Sequence, residues 1–318
     1  MKAVFLDVKT VDRGDVDWHA LRNAAEQWEF FDQTSAEQVA QRLRDVHIVV
    51  TNKVLLDEAV LCGAKSLRLV CVAATGYDNV DIGAAQRLGI PVCNVRGYAT
   101  ESVAQHVIAC LLCLANNLMI YRRDVFAGRW RNSDMFCFLD YPIRMLSQLR
   151  LGVIGWGELG KAVARRAEMF GMEVWVAERR GREPRAGRFA FEQVLQEVDV
   201  LTLHCPLNPS TQGLITGKEL AMMKPGAILI NTARGGIVHE ADLADALRAG
   251  HLGGAAVDVL SEEPPVSGNP LLDLDQYNVI VTPHIAWAST QARQKLVDEI
   301  AENIKAWRAG NPRHQVTA

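Results

Sequence analysis

The sequence predicts an α/β protein built from two successive parallel-sheet domains. Short apolar runs alternate with helical patterns from end to end, which is the mark of strands joined by crossover helices. The runs fall into two series, separated by a long helix pattern from Ser102 to Phe126. At 318 residues, with 49% hydrophobic and 22% charged content, the chain can fill two cores of ordinary size.

The first series comprises "AVFLDV" (3–8), "WEFFD" (28–32), "HIVVTN" (47–52), "LRLVCVAA" (67–74) and "IPVCNV" (90–95). The second comprises "LRLGVIG" (149–155), "EVWVAE" (173–178), "DVLTLHC" (199–205), "GAILINT" (226–232), "GGAAVDVL" (253–260) and "NVIVTPH" (278–284). Helices punctuate them. "EADLADALRAG" (240–250) carries Leu243 and Leu247 and stops at Gly250, the residue type that most readily closes a helix. In "STQARQKLVDEIAENIKAW" (289–307), Leu296, Ile300, Ile304 and Trp307 share one face, so this helix needs a partner surface. The stretch "ERRGREPRAGR" (178–188) is basic and rich in Gly and Pro, most simply a solvated loop.

A formal charge of -3 gives no general attraction to nucleic acid or to an anionic membrane surface. The apolar stretch near Met1 is too short for a signal peptide, and no run approaches a membrane span, so a cytoplasmic protein is expected. Of the seven cysteines, Cys110 and Cys113 form a CxxC, yet leucines and alanines surround them. Buried thiols are the reading there, and no metal site is expected.

Between two strands of the second series, Gly155-Trp156-Gly157-Glu158-Leu159-Gly160 opens a helix. The first glycine permits a tight turn, the second lets backbone approach a pyrophosphate, and the third lets helix and strand pack closely. The helix start supplies N–H groups and partial positive charge for phosphates. Glu178 follows at the distance where an acid meets the adenosine ribose, which favours NAD by repelling a 2′-phosphate. Arg179 and Arg180 beside it leave NADP open.

Three later strand ends carry charge. "LINTARGG" (229–236) ends in Arg234, "GGAAVDVLSEEPP" (253–265) carries Asp258 and Glu262-Glu263, and "NVIVTPH" ends in His284. Arg234 is either a solvated charge in a turn or a cation aimed at an anion, with Gly235 and Gly236 leaving space around it. Parallel sheets bind ligands at the carboxyl edge, so these groups could converge there. As a set they suit carbonyl reduction. His is the natural proton donor near neutral pH, a carboxylate orients it, and an arginine grips a substrate carboxylate with two hydrogen bonds.

With these residues in view, the sequence resembles the D-isomer-specific 2-hydroxyacid dehydrogenase family over nearly its whole length. The matching stretches are "ATGYDNVD" (74–81), "SVAQHV" (102–107), the glycine turn, "LHCPLNPST" (203–211), "MKPGAILINTARGG" (223–236), "GAAVDVLSEEPP" (254–265) and "TPHIAWAS" (282–289). Several separate motifs in the right order make the match highly specific. "NVRGYATESVAQHV", "GRWRNSDMFCFLDYPI" and the tryptophan after His284 are most like the glycerate dehydrogenase/hydroxypyruvate reductase branch. Glu263 speaks against the formate dehydrogenase branch, which has glutamine there.

The resemblance implies two Rossmann-like/flavodoxin-like parallel-sheet domains with a cleft between them. The outer, substrate-binding domain would be 1–98 plus 286–318, and the inner dinucleotide-binding domain 99–285. A homodimer is also implied. Position by position, Arg234 matches the substrate-binding arginine, Glu263 the acid paired with the histidine, and His284 the acid/base, leaving Glu262 as a bystander. Backbone around Thr75 and Gly76 matches the loop that receives the substrate carboxylate, and Asp258 a residue that places the nicotinamide carboxamide. Val103, Cys205, Pro206, Thr211, Thr232 and Ala233 match cofactor-lining positions. Glu178 stands where aspartate is more common, and "LSQLRLG" (146–152) where many members have L-x-G-K-T-L-G. Trp287 could wall a pocket or anchor its loop.

The implied activity is reversible hydride transfer between NAD(H) and a small 2-keto/2-hydroxy acid pair, with hydroxypyruvate/glycerate or glyoxylate/glycolate favoured. The alternative is an NAD(H)-sensing binding protein of the corepressor type, since the C-terminal-binding-protein corepressors share the fold and the triad.

Overall fold

The computed structural model describes residues 1–274 and 277–317. It divides into two compact units, Met1–Ala99 with Trp287–Ala318, and Thr100–Ala286.

In the first unit, strands β1 (Lys2–Phe5), β2 (Gln27–Phe30), β3 (Ile48–Thr51), β4 (Leu69–Val72) and β5 (Val92–Cys93) alternate with four short helices. These are α1 (His19–Arg22), α2 (Ala36–Arg42), α3 (Glu58–Gly63) and α4 (Ile82–Arg87). The five strands are parallel. Successive strand residues face opposite sides. Ala3, Phe5, Ile48, Val50, Leu69 and Cys71 thus enter one core, whereas Val4, Val49, Val70 and Val72 enter the other. Leu296, Val297, Ile300 and Ile304 complete the first core, so the amphipathic C-terminal segment finds its partner on this sheet.

The second unit begins with a departure from the sequence reading. The pattern from Ser102 to Phe126 is two helices, α5 (Thr100–Ala115) and α6 (Leu118–Phe126), bent by 57°. Asn117 at the break has φ 52, and asparagine tolerates the left-handed region better than most residues. No single helix among the described residues is long and apolar enough to cross a membrane. There follow β6 (Arg150–Ile154), α7 (Glu158–Met169), β7 (Glu173–Val176), α8 (Phe191–Glu197), β8 (Val200–Leu203) and α9 (Gly217–Met222). The unit ends with β9 (Ala227–Asn231), α10 (Glu240–Arg248), β10 (Leu252–Val257) and β11 (Val279–Val281). The order is β11-β10-β9-β8-β6-β7, every pair parallel. All six carboxyl ends therefore lie along one edge. The chain reverses its direction of travel across the sheet between β6 and β8, the place where such sheets open a crevice.

Back in the first unit, α11 (Thr290–Arg308) carries the face that covers the sheet, and β12 (Gln315–Val316) adds an antiparallel edge strand to β5. That sheet reads β12-β5-β4-β3-β1-β2. The expected α/β architecture with two parallel sheets is thus present, and β12 is the one unforeseen strand among the described residues.

Candidate active site at the carboxyl edge of the second sheet

The turn after β6 is shaped by backbone proximity. Gly155 has φ +97, and a Cβ there would lie 2.5 Å from the carbonyl carbon and oxygen of His204. Only glycine meets both demands. A Cβ on Gly160 would lie 2.1 Å from the Gly155 carbonyl oxygen, the close helix–strand approach expected of the third glycine. Gly157 differs. It is exposed, extended at φ -86, and a Cβ there would meet nothing within 4 Å. The space in front of the α7 N-terminus is therefore open, flanked by exposed Glu158 and half-buried Leu159. The helix's first N–H groups have no intrahelical acceptor, which suits an anion there.

At the end of β7, Glu178 is only 3% exposed, and basic side chains surround its carboxylate. Arg185 donates Nε to Oε2 at 2.5 Å and Nη2 to Oε1 at 2.7 Å, and the Arg179 N–H reaches Oε1 at 2.9 Å. The Arg185 fork, aided by the Arg179 N–H, holds the carboxyl at about 2. Arg180 turns elsewhere. It bonds the buried Glu219 carboxylate and lies over the Phe191 ring, 5.5 Å from its centroid, within the reach of about 6 Å for a cation–π contact. The segment 178–188 is therefore not merely a solvated loop, because the buried carboxylates of Glu178 and Glu219 recruit Arg180, Arg185 and Arg188.

The segment after β8 closes on itself. Thr211 donates its hydroxyl to the Pro206 carbonyl at 2.6 Å and accepts the Asn208 N–H at 2.9 Å. Cys205 is half-buried, and burial pushes its thiol up to about 11, so at neutral pH it is a neutral lining group. Val103 on α5 and Ala233 after β9 are buried. Thr232, also after β9, has a buried hydroxyl without a hydrogen-bond partner among the described residues. Buried hydroxyls are normally satisfied, so a missing partner points to a ligand. The open turn, the buried Glu178 and this hydroxyl together fit a dinucleotide.

Three later strand ends assemble the polar group. His284 Nδ1 lies 2.7 Å from Glu263 Oε2, and Glu263 Oε1 accepts the Leu260 N–H at 2.9 Å. His284 has φ 54, a left-handed conformation uncommon for a side-chain-bearing residue and concentrated at functional sites. Asp258 explains how it persists. This carboxylate is 2% exposed and accepts the Thr282 hydroxyl at 2.5 Å and the Ile285 and Ala286 N–H groups at 2.9 Å. Its carbonyl accepts the His284 N–H at 2.8 Å. The side chain and carbonyl of Asp258 thus pin the His284 loop, while its N–H donates to the Asn231 carbonyl at 2.9 Å and ties the strand end to β9.

Arg234 is half-buried, and its guanidinium bonds only the Ala233 carbonyl, at 2.8 Å, with no carboxylate partner among the described residues. Gly235 does not make room for a ligand, as the sequence reading supposed. A Cβ there would lie 1.9 Å from the Leu260 carbonyl oxygen, so it lets the Arg234 loop touch the Glu263 loop. Two positioning residues escaped the sequence reading. Asn231 accepts the Ala233 N–H and donates to the Arg234 carbonyl, both at 3.0 Å. Glu240 gathers Ser261 and Asn269 around the Glu263 segment. A polar residue ending an apolar strand was the available signal for Asn231; Glu240 had none. Glu262 accepts Ser267 and stands apart from His284.

Thr75 and Gly76 lie in the first unit, on the loop after β4, where Thr75 donates to the Val95 carbonyl at 2.8 Å. Trp287 also belongs to that unit and packs edge-on against Tyr98 at 6.1 Å.

The chain is similar to known proteins along its whole length. The NAD-binding domain of the D-isomer-specific 2-hydroxyacid dehydrogenases matches residues 108–286. The chain is 42% identical over 318 residues to the glycerate dehydrogenase of Methylorubrum extorquens, covering 100% of this chain and 99% of the relative. It is 37% identical over 319 residues to the hydroxypyruvate reductase of Blautia hydrogenotrophica, with 98% of each covered. Among solved structures, the Aquifex aeolicus D-lactate dehydrogenase complexed with NAD and lactic acid superposes with a TM-score of 0.83 at 27% identity, covering 97% of this chain and 96% of that one. A domain match over more than half the chain, together with relatives aligned from end to end, establishes that this chain belongs to the D-isomer-specific 2-hydroxyacid dehydrogenase family.

Proposed function

We propose that the protein reduces a small 2-keto acid to its D-2-hydroxy acid with NADH, and catalyses the reverse reaction, with hydroxypyruvate/glycerate and glyoxylate/glycolate as preferred pairs. The observation that carries this reading is a half-buried arginine without a carboxylate partner, on the same sheet edge as a His–Glu pair. The relatives named glycerate dehydrogenase and hydroxypyruvate reductase favour those substrates over longer 2-keto acids.

Bound NADH supplies the hydride to C2. Arg234 binds the substrate carboxylate and polarises the keto oxygen. Glu263 takes up Nδ1 of His284 and fixes the ring, so the proton passes to the developing alkoxide from Nε2. Asp258 is a positioning residue for that ring, acting through the loop it pins, and its edge location also suits the nicotinamide end. Gly155, Gly157, Glu158, Leu159 and Gly160 cradle the pyrophosphate, and Glu178 faces the ribose. Val103, Cys205, Pro206, Thr211, Thr232 and Ala233 line the remaining length.

The protein acts in the cytoplasm as a homodimer. Phe126 (78% exposed) and Phe136 (90%), with Trp130, Met135, Leu139 and Ile143, form an apolar segment that a second copy would cover. A light-scattering mass of one chain would exclude the dimer.

The activity is tested by mixing protein, NADH and a panel of 2-keto acids and following cofactor oxidation. Hydroxypyruvate or glyoxylate should give the highest kcat/KM. His284→Gln should lower kcat by about 10²–10⁴-fold while retaining NADH binding. Arg234→Ala should raise KM and lower kcat together, because the same contacts hold and orient the substrate. Tight NADH binding without turnover of any keto acid would replace this reading with that of a cofactor-sensing binding protein.

A further inference from the structure

The ribose-facing carboxylate does not stand alone. A carboxylate offers about four acceptor positions. On Glu178 three are already used, by Arg185 Nε, Arg185 Nη2 and the Arg179 N–H. Chelating both hydroxyls of an adenosine ribose takes two positions, so Glu178 cannot do so while Arg185 keeps both of its bonds. The pair also carries no net charge. Repulsion of a 2′-phosphate, the usual reason an acid at this place selects NAD, is therefore largely cancelled.

Arg185 is the residue able to respond. Its side chain is 62% exposed although its partner's is 3% exposed, so the guanidinium covers the carboxylate from the solvent side. Its planar fork suits a phosphate as well as a carboxylate. Arg188 adds a second cation, Nη1 lying 3.7 Å from Glu178 Oε1. Arg180 is committed to Glu219, and Arg179 contributes its backbone N–H to Glu178.

We propose that Arg185 sets the cofactor preference. Paired with Glu178, it cancels the charge that would exclude a 2′-phosphate and offers that phosphate its guanidinium, so the enzyme takes NADPH as well as NADH. This rests on the dinucleotide site and not on which keto acid is reduced, so it is tested by binding alone.

The apoprotein is titrated with NADH and with NADPH, following nicotinamide fluorescence. The wild-type dissociation constants should agree to within about tenfold, a difference of about 1.4 kcal/mol. Arg185→Ala should weaken NADPH by at least about tenfold, the scale of one charge-assisted bidentate contact, while leaving NADH unchanged or tighter. Arg185→Lys, which keeps the charge and loses the fork, should fall between them. Arg180→Ala should leave the ratio as it was. The proposal is overturned if Arg185→Ala weakens both cofactors equally, if it changes neither, or if Arg180→Ala shifts the ratio instead. It is also overturned if the wild type binds NADPH more than about a hundredfold more weakly than NADH. Absence of binding by either nicotinamide would instead refute the dinucleotide site itself. Keto-acid turnover with a failed Arg185 test would leave the dehydrogenase reading standing.

Discussion

The two units share a topology and differ in what fills it. In each, the first strand of the sheet lies between the second and the third, so the chain reverses direction there and leaves a crevice at the carboxyl edge. In the first unit the residue at that place is Asp7, just after β1. Its carboxylate is 4% exposed and accepts the Asn52 N–H at 2.9 Å and the Lys53 N–H at 2.6 Å from the chain after β3. The crevice is thus closed by an anion of the chain's own. In the second unit the corresponding place holds the Gly155 turn, which sends no side chain inward, and the room at Gly157 stays open. Topology supplies a crevice in both units. The turn after the first strand makes the difference: in one unit a side chain occupies the crevice, in the other backbone alone borders it.

That contrast is broken most sharply at Gly157. Its backbone is extended and a Cβ would touch nothing, so Gly157→Val should fold normally and keep its melting temperature within a few degrees. A dinucleotide would have to share that room with the new side chain. NADH affinity should fall by about 10- to 100-fold, corresponding to about 1–3 kcal/mol of overpacking. Calorimetric titration beside a thermal melt separates the two effects. Unchanged NADH affinity would mean that the open crevice is not where the cofactor lies.

How much of this was legible before the structure depends on how local the signal is. "LRLGVIG" followed by the glycine turn announces a strand, a turn and a helix, because each residue's job is set by its immediate neighbours. Arg234, Glu263 and His284 were found as polar residues terminating apolar runs, and their chemistry as a set pointed to carbonyl reduction, but which carboxylate pairs with His284 came from the family resemblance. Pairing between residues 21 apart is not a local property. The break at Asn117 was invisible because Leu118, Met119 and Ile120 continue the apolar pattern through it, and β12 because two residues carry no period. Arg185 was hidden for a different reason. A basic Gly/Pro-rich stretch looks the same whether its arginines face water or a buried carboxylate, and only the turn between 179 and 185 brings this one back to Glu178. Asp7 was read as part of a strand, since nothing in "AVFLDV" reveals the N–H groups it meets after β3.

The two crevices also differ in the protons they hold, and this gives the finest test of the comparison. Beside the open one, burial holds the His204 imidazole down at about 4, and its buried Nδ1 has no partner among the described residues. Beside the closed one, burial raises the Asp7 carboxyl above its ordinary 3.8, outweighing the backbone N–H groups that favour its charge. Between pH 4 and 6.5 the unfolded chain binds a proton that folded His204 lacks, so this group makes stability rise with pH. The slope is at most about 1.4 kcal/mol per pH unit. For Asp7 the folded state holds the extra proton. Its contribution is complete below pH 3.8 and is lost as pH rises through its folded value. The two trends oppose one another in the wild type, and single substitutions should separate them. Asp7→Asn removes the falling trend, so the urea midpoint of the apoprotein should rise more steeply with pH than in the wild type. His204→Gln removes the rising trend, so the midpoint should flatten or fall over the same range. If Asp7→Asn leaves the pH profile of stability unchanged, the carboxyl that closes the first unit's crevice does not titrate above its ordinary value, and the contrast with the second unit loses its electrostatic half.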